Sequence, residues 1–179
     1  MRQSIVVKLF IIIVAGVVAL GSAVFVGFRH ASDVRGESEP AALSEVYTHT
    51  EPGFSFRYPR AFRVNEIPQE EGNALVLVED PTRARQGFQV FSMPYDEEGP
   101  LTEARIRADL PNKVMEDVHP VQVDGVEALA FTNDDNTHNQ GLGRLFEVWT
   151  VHHGVLYQLA TYPDLASVLQ QVLETWTFR

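Results

Sequence analysis

The sequence contains no cysteine. Disulfides, thiolate nucleophiles and sulfur-ligated metals are therefore excluded, as is the lipid-bearing cysteine of a bacterial lipoprotein. It also lacks any basic run. Of its 14 lysines and arginines only Arg2 and Lys8 fall in the first 28 residues, where none of the 24 acidic residues lies. The rest of the chain is thus frankly acidic, with 12 basic against 24 acidic side chains. Nucleic acid is a poor partner for such a domain, because binding there leans on Lys and Arg neutralising phosphates; anionic lipid headgroups repel it for the same reason.

The short signatures of common enzymes are absent as well. There is no Gly-x-Ser-x-Gly elbow, no His-Glu-x-x-His pair and no phosphate-cradling glycine loop, and Gly141-Leu142-Gly143 lacks the third glycine and following helix of a dinucleotide site. The acidic pairs Glu70-Glu71 and Glu97-Glu98 are loop neighbours, without the burial that raises a carboxyl pKa for acid catalysis. The expectation is a protein that is not an enzyme, with no cofactor and with no residue in a catalytic or metal-binding role.

What is present begins with Leu9 to Phe28, 20 residues without a charge. As a helix this stretch spans about 30 Å, the thickness of a bilayer's hydrocarbon core. Residues 1–28 are read as an N-terminal membrane anchor; a cleaved signal peptide ending at Gly21-Ser22-Ala23 is the alternative, and both export the remainder of the chain. Residues 29–45 mix charge, Ser, Gly and Pro with few large apolar groups, the composition of a flexible tether. Residues 46–179 form the folded domain, outside the cytoplasm on a single-pass membrane protein.

Within that domain Phe54, Phe56 and Tyr58 alternate with Ser55 and Arg57, the two-residue period of a half-buried strand ending at Pro59. Short strands over Phe62–Asn65, Ala74–Val78 and Phe88–Met93 come next, so the first half reads as an antiparallel meander. Thr102 is placed to cap a short helix, with Leu101 stapled to Ile106. Asp124-Gly125 and His153-Gly154 each sit between two apolar runs and predict tight hairpins. Leu165, Val168, Leu169, Val172 and Trp176 then fall on one stripe of a final amphipathic helix, with Asp164 as its expected cap.

Three groups of side chains are candidates for function. Arg57, Arg60 and Arg63, joined by Arg83 and Arg85, are the nearest approach to a basic patch and fit an acidic partner surface. The loop from Asn133 to Gly141 is rich in oxygen ligands, and Asp134, Asp135 and Asn136 are the candidates for weak cation binding. An EF-hand register starting at Asn136 fails, since it puts Asn, His and Gln where aspartates belong and lands its twelfth position, Glu147, in a strand. His152 and His153 lie at a hairpin tip, where strand alternation sends neighbouring side chains to opposite faces and keeps them from sharing a metal.

The opening Gly53-Phe54-Ser55-Phe56-Arg57-Tyr58-Pro59 with Phe62, the strand Phe146 to Val151, the run Gly154-Val155-Leu156-Tyr157-Gln158-Leu159 and a closing helix that runs into Trp176-Thr177-Phe178 form one layout. In that layout the domain resembles the PsbP-like family. It implies an α+β fold in which helices flank an antiparallel sheet, an α-β-α sandwich, here preceded by one N-terminal transmembrane helix. For function it implies an accessory, assembly or binding role, and no catalytic residues transfer. The expected activity is accordingly that of a tethered protein-interaction or assembly module with a protein partner, the alternative being an exported domain that binds a small ligand or cation.

Overall fold

A computed structural model of the chain describes residues 42–69, 72–83, 85–95, 99–134 and 143–179. The segment Leu9–Phe28 lies outside them. Among the described residues no helix is long and apolar enough to cross a membrane.

The described residues form ten strands and two short helices. The first pair, β1 (Leu43–His49) and β2 (Phe54–Pro59), is an antiparallel hairpin. Next come β3 (Arg63–Ile67), β4 (Ala74–Glu79) and β5 (Gly87–Pro94), then helix α1 (Glu103–Asp109). After α1 the chain makes two hairpins, β6 (Glu116–Val123) with β7 (Val126–Asn133) and β8 (Leu145–His152) with β9 (Val155–Thr161). A single 3₁₀ turn leads into α2 (Ala166–Glu174), and β10 (Thr177–Phe178) closes the chain.

Seven of the strands form one sheet in the order β3-β4-β5-β9-β8-β7-β6, antiparallel throughout. Both hairpin turns form as the sequence predicts. Asp124 and Gly125 have φ of 49° and 76°, and His153 and Gly154 have 46° and 73°, the doubly positive backbone of a type I′ turn whose twist matches that of the flanking strands. The outer strand β6 carries a bulge between Glu116 and His119, with Asp117 at φ 53°, and contains Pro120. These features blunt an edge against pairing with other chains.

Alternate residues along each strand face opposite sides of this sheet, and the two sides are covered differently. On one side Val76, Val78, Phe88, Val90, Val148, Tyr157 and Leu159 pack against Phe54 and Phe56 of β2, Leu169 and Val172 of α2, Trp176 and Phe178. Phe54 and Phe56 both stack on Trp176, at centroid distances of 4.8 and 5.3 Å. Buried aromatic groups of this size each contribute roughly 2–3 kcal/mol through burial. On the other side Phe131, Trp149 and Leu156 meet Leu101, Ile106 and Met115 around α1.

Four expectations are corrected. The first strand begins at Leu43, inside the stretch read as tether. The strand Phe54–Pro59 does not join the meander; it pairs with β1 and β10 in a second, three-stranded sheet laid over the large one. Asp164 makes no cap: α2 starts without a side-chain capping bond, and Asp164 Oδ2 instead accepts a long 3.4 Å hydrogen bond from Gln86. Finally, the sandwich is sheet-rich rather than α-β-α, because one side of the seven-stranded sheet is covered as much by the β1-β2-β10 layer as by α2. Thr102 caps α1 as expected, its hydroxyl accepting from the Arg105 backbone N–H at 3.2 Å.

Candidate functional site

A charge buried in the middle of a sheet is the strongest chemical feature of the fold. Glu147 is the third residue of β8 and only 1 % exposed. It faces the α1 side, opposite Phe131 on β7 and Ala160 on β9. Uncompensated, such a carboxylate would be untenable in an apolar interior. Three donors converge on it. Lys113 Nζ lies 3.1 Å from Oε1, Asn133 Nδ2 donates to the same oxygen at 2.7 Å, and Trp149 Nε1 donates to Oε2 at 2.7 Å.

Each donor is placed by local structure. Trp149 is two residues along β8 and therefore on the same face. Asn133 ends β7, two residues beyond Phe131. Lys113 lies between α1 and β6, where the turn after Pro111 is closed by a 3.0 Å bond from its own backbone N–H to the Leu110 carbonyl. Its ammonium stands 4.8 Å from the Trp149 ring centroid and 5.4 Å from that of Phe131, within range of cation–π attraction to both.

This centre was not among the sequence candidates, although a signal for it existed. Glu147 interrupts the otherwise uncharged run Leu145–Val151, and Lys113 is the only lysine after Lys8. Charged residues in such positions are almost never fully buried unless paired. The chemistry the cluster supports is static. The ammonium of Lys113 stands beside Glu147, where a cation ligand would otherwise sit. Asp134 is exposed just past β7, while Asp135 and Asn136 lie outside the described residues. Among the described residues no group of three or more His, Asp or Glu side chains is placed to hold a metal.

The three arginines of the predicted basic patch lie on and between β2 and β3. Arg57 is exposed on β2, Arg60 sits in the turn after it and Arg63 opens β3, also exposed. Arg60 approaches Glu45 at 3.7 Å with both side chains largely in solvent, a contact of little energetic weight. Arg83 approaches Asp80 at 3.9 Å and Arg85 lies 4.5 Å over the Tyr162 ring.

At the turn between β8 and β9 the two histidines do not diverge as alternation predicts. Their rings stack at 3.9 Å, and His152 stacks in turn on Phe178 at 4.3 Å. The positive φ of His153 ends the alternation and lets its ring fold back over its neighbour. Burial holds His152 below the ordinary imidazole pKa, and the His153 charge pushes the same way, against a smaller opposing pull from Asp124. Asp124 Oδ2 accepts from the Phe178 backbone N–H at 2.9 Å, so the β6-β7 turn and the chain's last strand are joined at this end.

No family model and no curated protein matches the sequence. Among solved structures the fold is similar to the solution structure of cyanobacterial PsbP (CyanoP) from Synechocystis sp. PCC 6803, at 16% identity and a TM-score of 0.50, over 80% of this chain and 96% of that one. It is also similar to a crystal structure from Bacteroides thetaiotaomicron VPI-5482, at 14% identity and a TM-score of 0.54, over 77% of this chain. The match spans about half of the Bacteroides chain, 49% of its length. The domain therefore has a PsbP-like fold.

Proposed function

We propose that the chain is a non-enzymatic, membrane-tethered interaction module, in which Leu9–Phe28 is the anchor and the PsbP-like domain binds a protein partner outside the cytoplasm. The observation that carries this reading is the closed state of the Glu147 cluster. Glu147, the one buried carboxylate among the described residues, has its oxygens taken by Lys113, Asn133 and Trp149. Both oxygens are thus engaged by donors of the protein itself.

The arginines say where a partner would dock. Arg105 and Arg107 are paired along α1 with Asp109 and Glu103, and Arg144 pairs with Glu116. Arg57 and Arg63 form no ion pair among the described residues and point into solvent beside the weakly held Arg60. On a domain of net negative charge these exposed arginines are the groups that would attract and orient an acidic partner surface. Crosslinking in intact membranes, followed by recovery of the chain, tests the reading. A reproducible partner is expected with the wild type, and its loss with Arg57→Glu/Arg63→Glu at unchanged melting temperature. Recovery of the domain alone at native abundance would overturn it.

A further inference from the structure

Each of the two sheets ends in two outer strands, and the free edge of such a strand carries backbone N–H and C=O groups that need partners. Three of the four edges are blunted. β10 is two residues long, β6 has its bulge and Pro120, and β3 exposes Arg63 and Glu66 along its five residues. β1 is the exception. It runs for seven residues without proline or lysine, its bulge lies at its start between Leu43 and Glu45, and residues 46–49 keep regular register with β2. Among the described residues no strand pairs with its other side.

The two faces of β1 differ in chemistry. Leu43 and Tyr47 turn inward and pack, with Val64 of β3, against the main core. The Tyr47 hydroxyl donates to Glu66 Oε1 at 2.7 Å, which sets β1 over the edge of the large sheet. Val46 and Thr48 turn outward and are exposed. At 59 % exposure Val46 is the more open of only two large apolar side chains left in solvent among the described residues. Its cross-strand neighbour on β2 is Arg57, the exposed arginine without an ion pair.

These features define the chain that fits. Backbone groups along an open edge pair with an extended segment of any sequence, and the alternating side chains of that segment set its specificity. Its inward side chains come beside Tyr47 and the margin of β3, where Val64 accepts apolar groups and Glu66 repels carboxylates. Its outward side chains flank Val46, one strand away from Arg57. Neighbouring strands lie about 4.8 Å apart, so the guanidinium reaches across the short Val46 side chain to a carboxylate. A second copy of this chain fits less well: its β1 offers Val46 and Thr48 to Arg57, and both domains carry net negative charge.

We propose that β1 receives an extended segment of the partner as a fourth strand of the β1-β2-β10 sheet. In that segment acidic residues alternate with apolar ones, the carboxylates facing Arg57 and the apolar side chains facing Tyr47 and Val64. The inference rests on the partner-binding role proposed for the domain, and it supplies the form and charge pattern of the partner.

The test is an NMR titration of the full chain in detergent micelles with an acetylated octapeptide of alternating Val and Glu. The same peptide with Lys in place of Glu is the charge control. Two further forms of the acidic peptide carry N-methyl groups on every Val or on every Glu. The acidic peptide is expected to shift the amide signals of residues 43–49 and to slow hydrogen exchange at alternate positions of β1, and the lysine peptide to leave them in place. Because a strand turns only every second residue's N–H toward a given neighbour, one methylated form keeps its affinity and the other loses it. Arg57→Glu weakens binding of the acidic peptide by roughly five- to tenfold at unchanged melting temperature.

The proposal is overturned if the acidic peptide leaves the β1 signals unmoved at millimolar concentration, if the lysine peptide binds equally, or if the two methylated forms behave alike. Shifts in β1 that follow protein concentration without peptide overturn it too, since a second copy then holds the edge. A partner still captured from membranes beside a blank titration sinks this inference alone; no captured partner sinks the interaction role and this inference with it.

Discussion

Lys113 Nζ stands 3.1 Å from Glu147 Oε1, and only 4% and 2% of the two side chains reach solvent. These residues are separated by 34 positions, so their pairing locks the segment after α1 onto the centre of the large sheet. Breaking such a pair from one side leaves a bare buried charge.

The Lys113→Met variant is accordingly expected to lose about 3–5 kcal/mol of stability. Replacing both partners, in Lys113→Met/Glu147→Met, recovers most of that loss, because two apolar groups of similar length need no compensation, although Asn133 and Trp149 each give up an acceptor. Urea unfolding of the wild type, both single variants and the double variant closes the cycle. Simple additivity of the two single losses would show that the pair is not energetically coupled.

Acidification acts at the other end of the sheet. His152 has its folded-state pKa lowered, first by burial and then by the His153 charge, so the folded state favours the neutral ring. The stability tied to this preference is complete above the unfolded value of 6.5 and is lost as pH falls from there through the lowered folded pKa. His152→Phe keeps an aromatic ring on Phe178 and cannot take a proton. Its melting temperature should fall less than the wild type's between about pH 7 and pH 5, a window set by imidazole titration. Identical slopes would remove His152 as a contributor.

The link from Asp124 to Phe178 fastens the last strand. Asp124→Gly preserves the positive φ that the turn requires while deleting the acceptor for the Phe178 N–H. The expected effect is a loss of about 1 kcal/mol, with faster hydrogen exchange at Phe178. Asp124→Asn retains an acceptor oxygen and tolerates the same backbone, so it should stay close to wild type. Unchanged exchange at Phe178 in the glycine variant would show that pairing with Phe54 holds the strand unaided.

Legibility in the sequence tracked the range of the interaction. The alternation of Phe54, Phe56 and Tyr58, the Thr102 cap and the Asp124-Gly125 and His153-Gly154 turns were all readable, because each depends on residues a few positions apart. Asp164 misled, since a capping residue type says nothing about whether a 3₁₀ turn will precede the helix. The histidine pair misled in the same way: alternation holds along a strand and stops where φ turns positive.

By itself, then, the sequence determined a run of short antiparallel strands closed by an amphipathic helix, together with an acidic surface and the exclusion of sulfur chemistry. Its aromatic layout was enough to anticipate a PsbP-like fold. Only the tertiary structure decided that β2 would leave the meander to pair with β10 and that Lys113 would meet Glu147. Turns and caps are chosen by local backbone sterics. Which strands become neighbours, and which polar groups are thereby buried together, is settled by packing between distant segments, where no single stretch of sequence holds both halves of the contact.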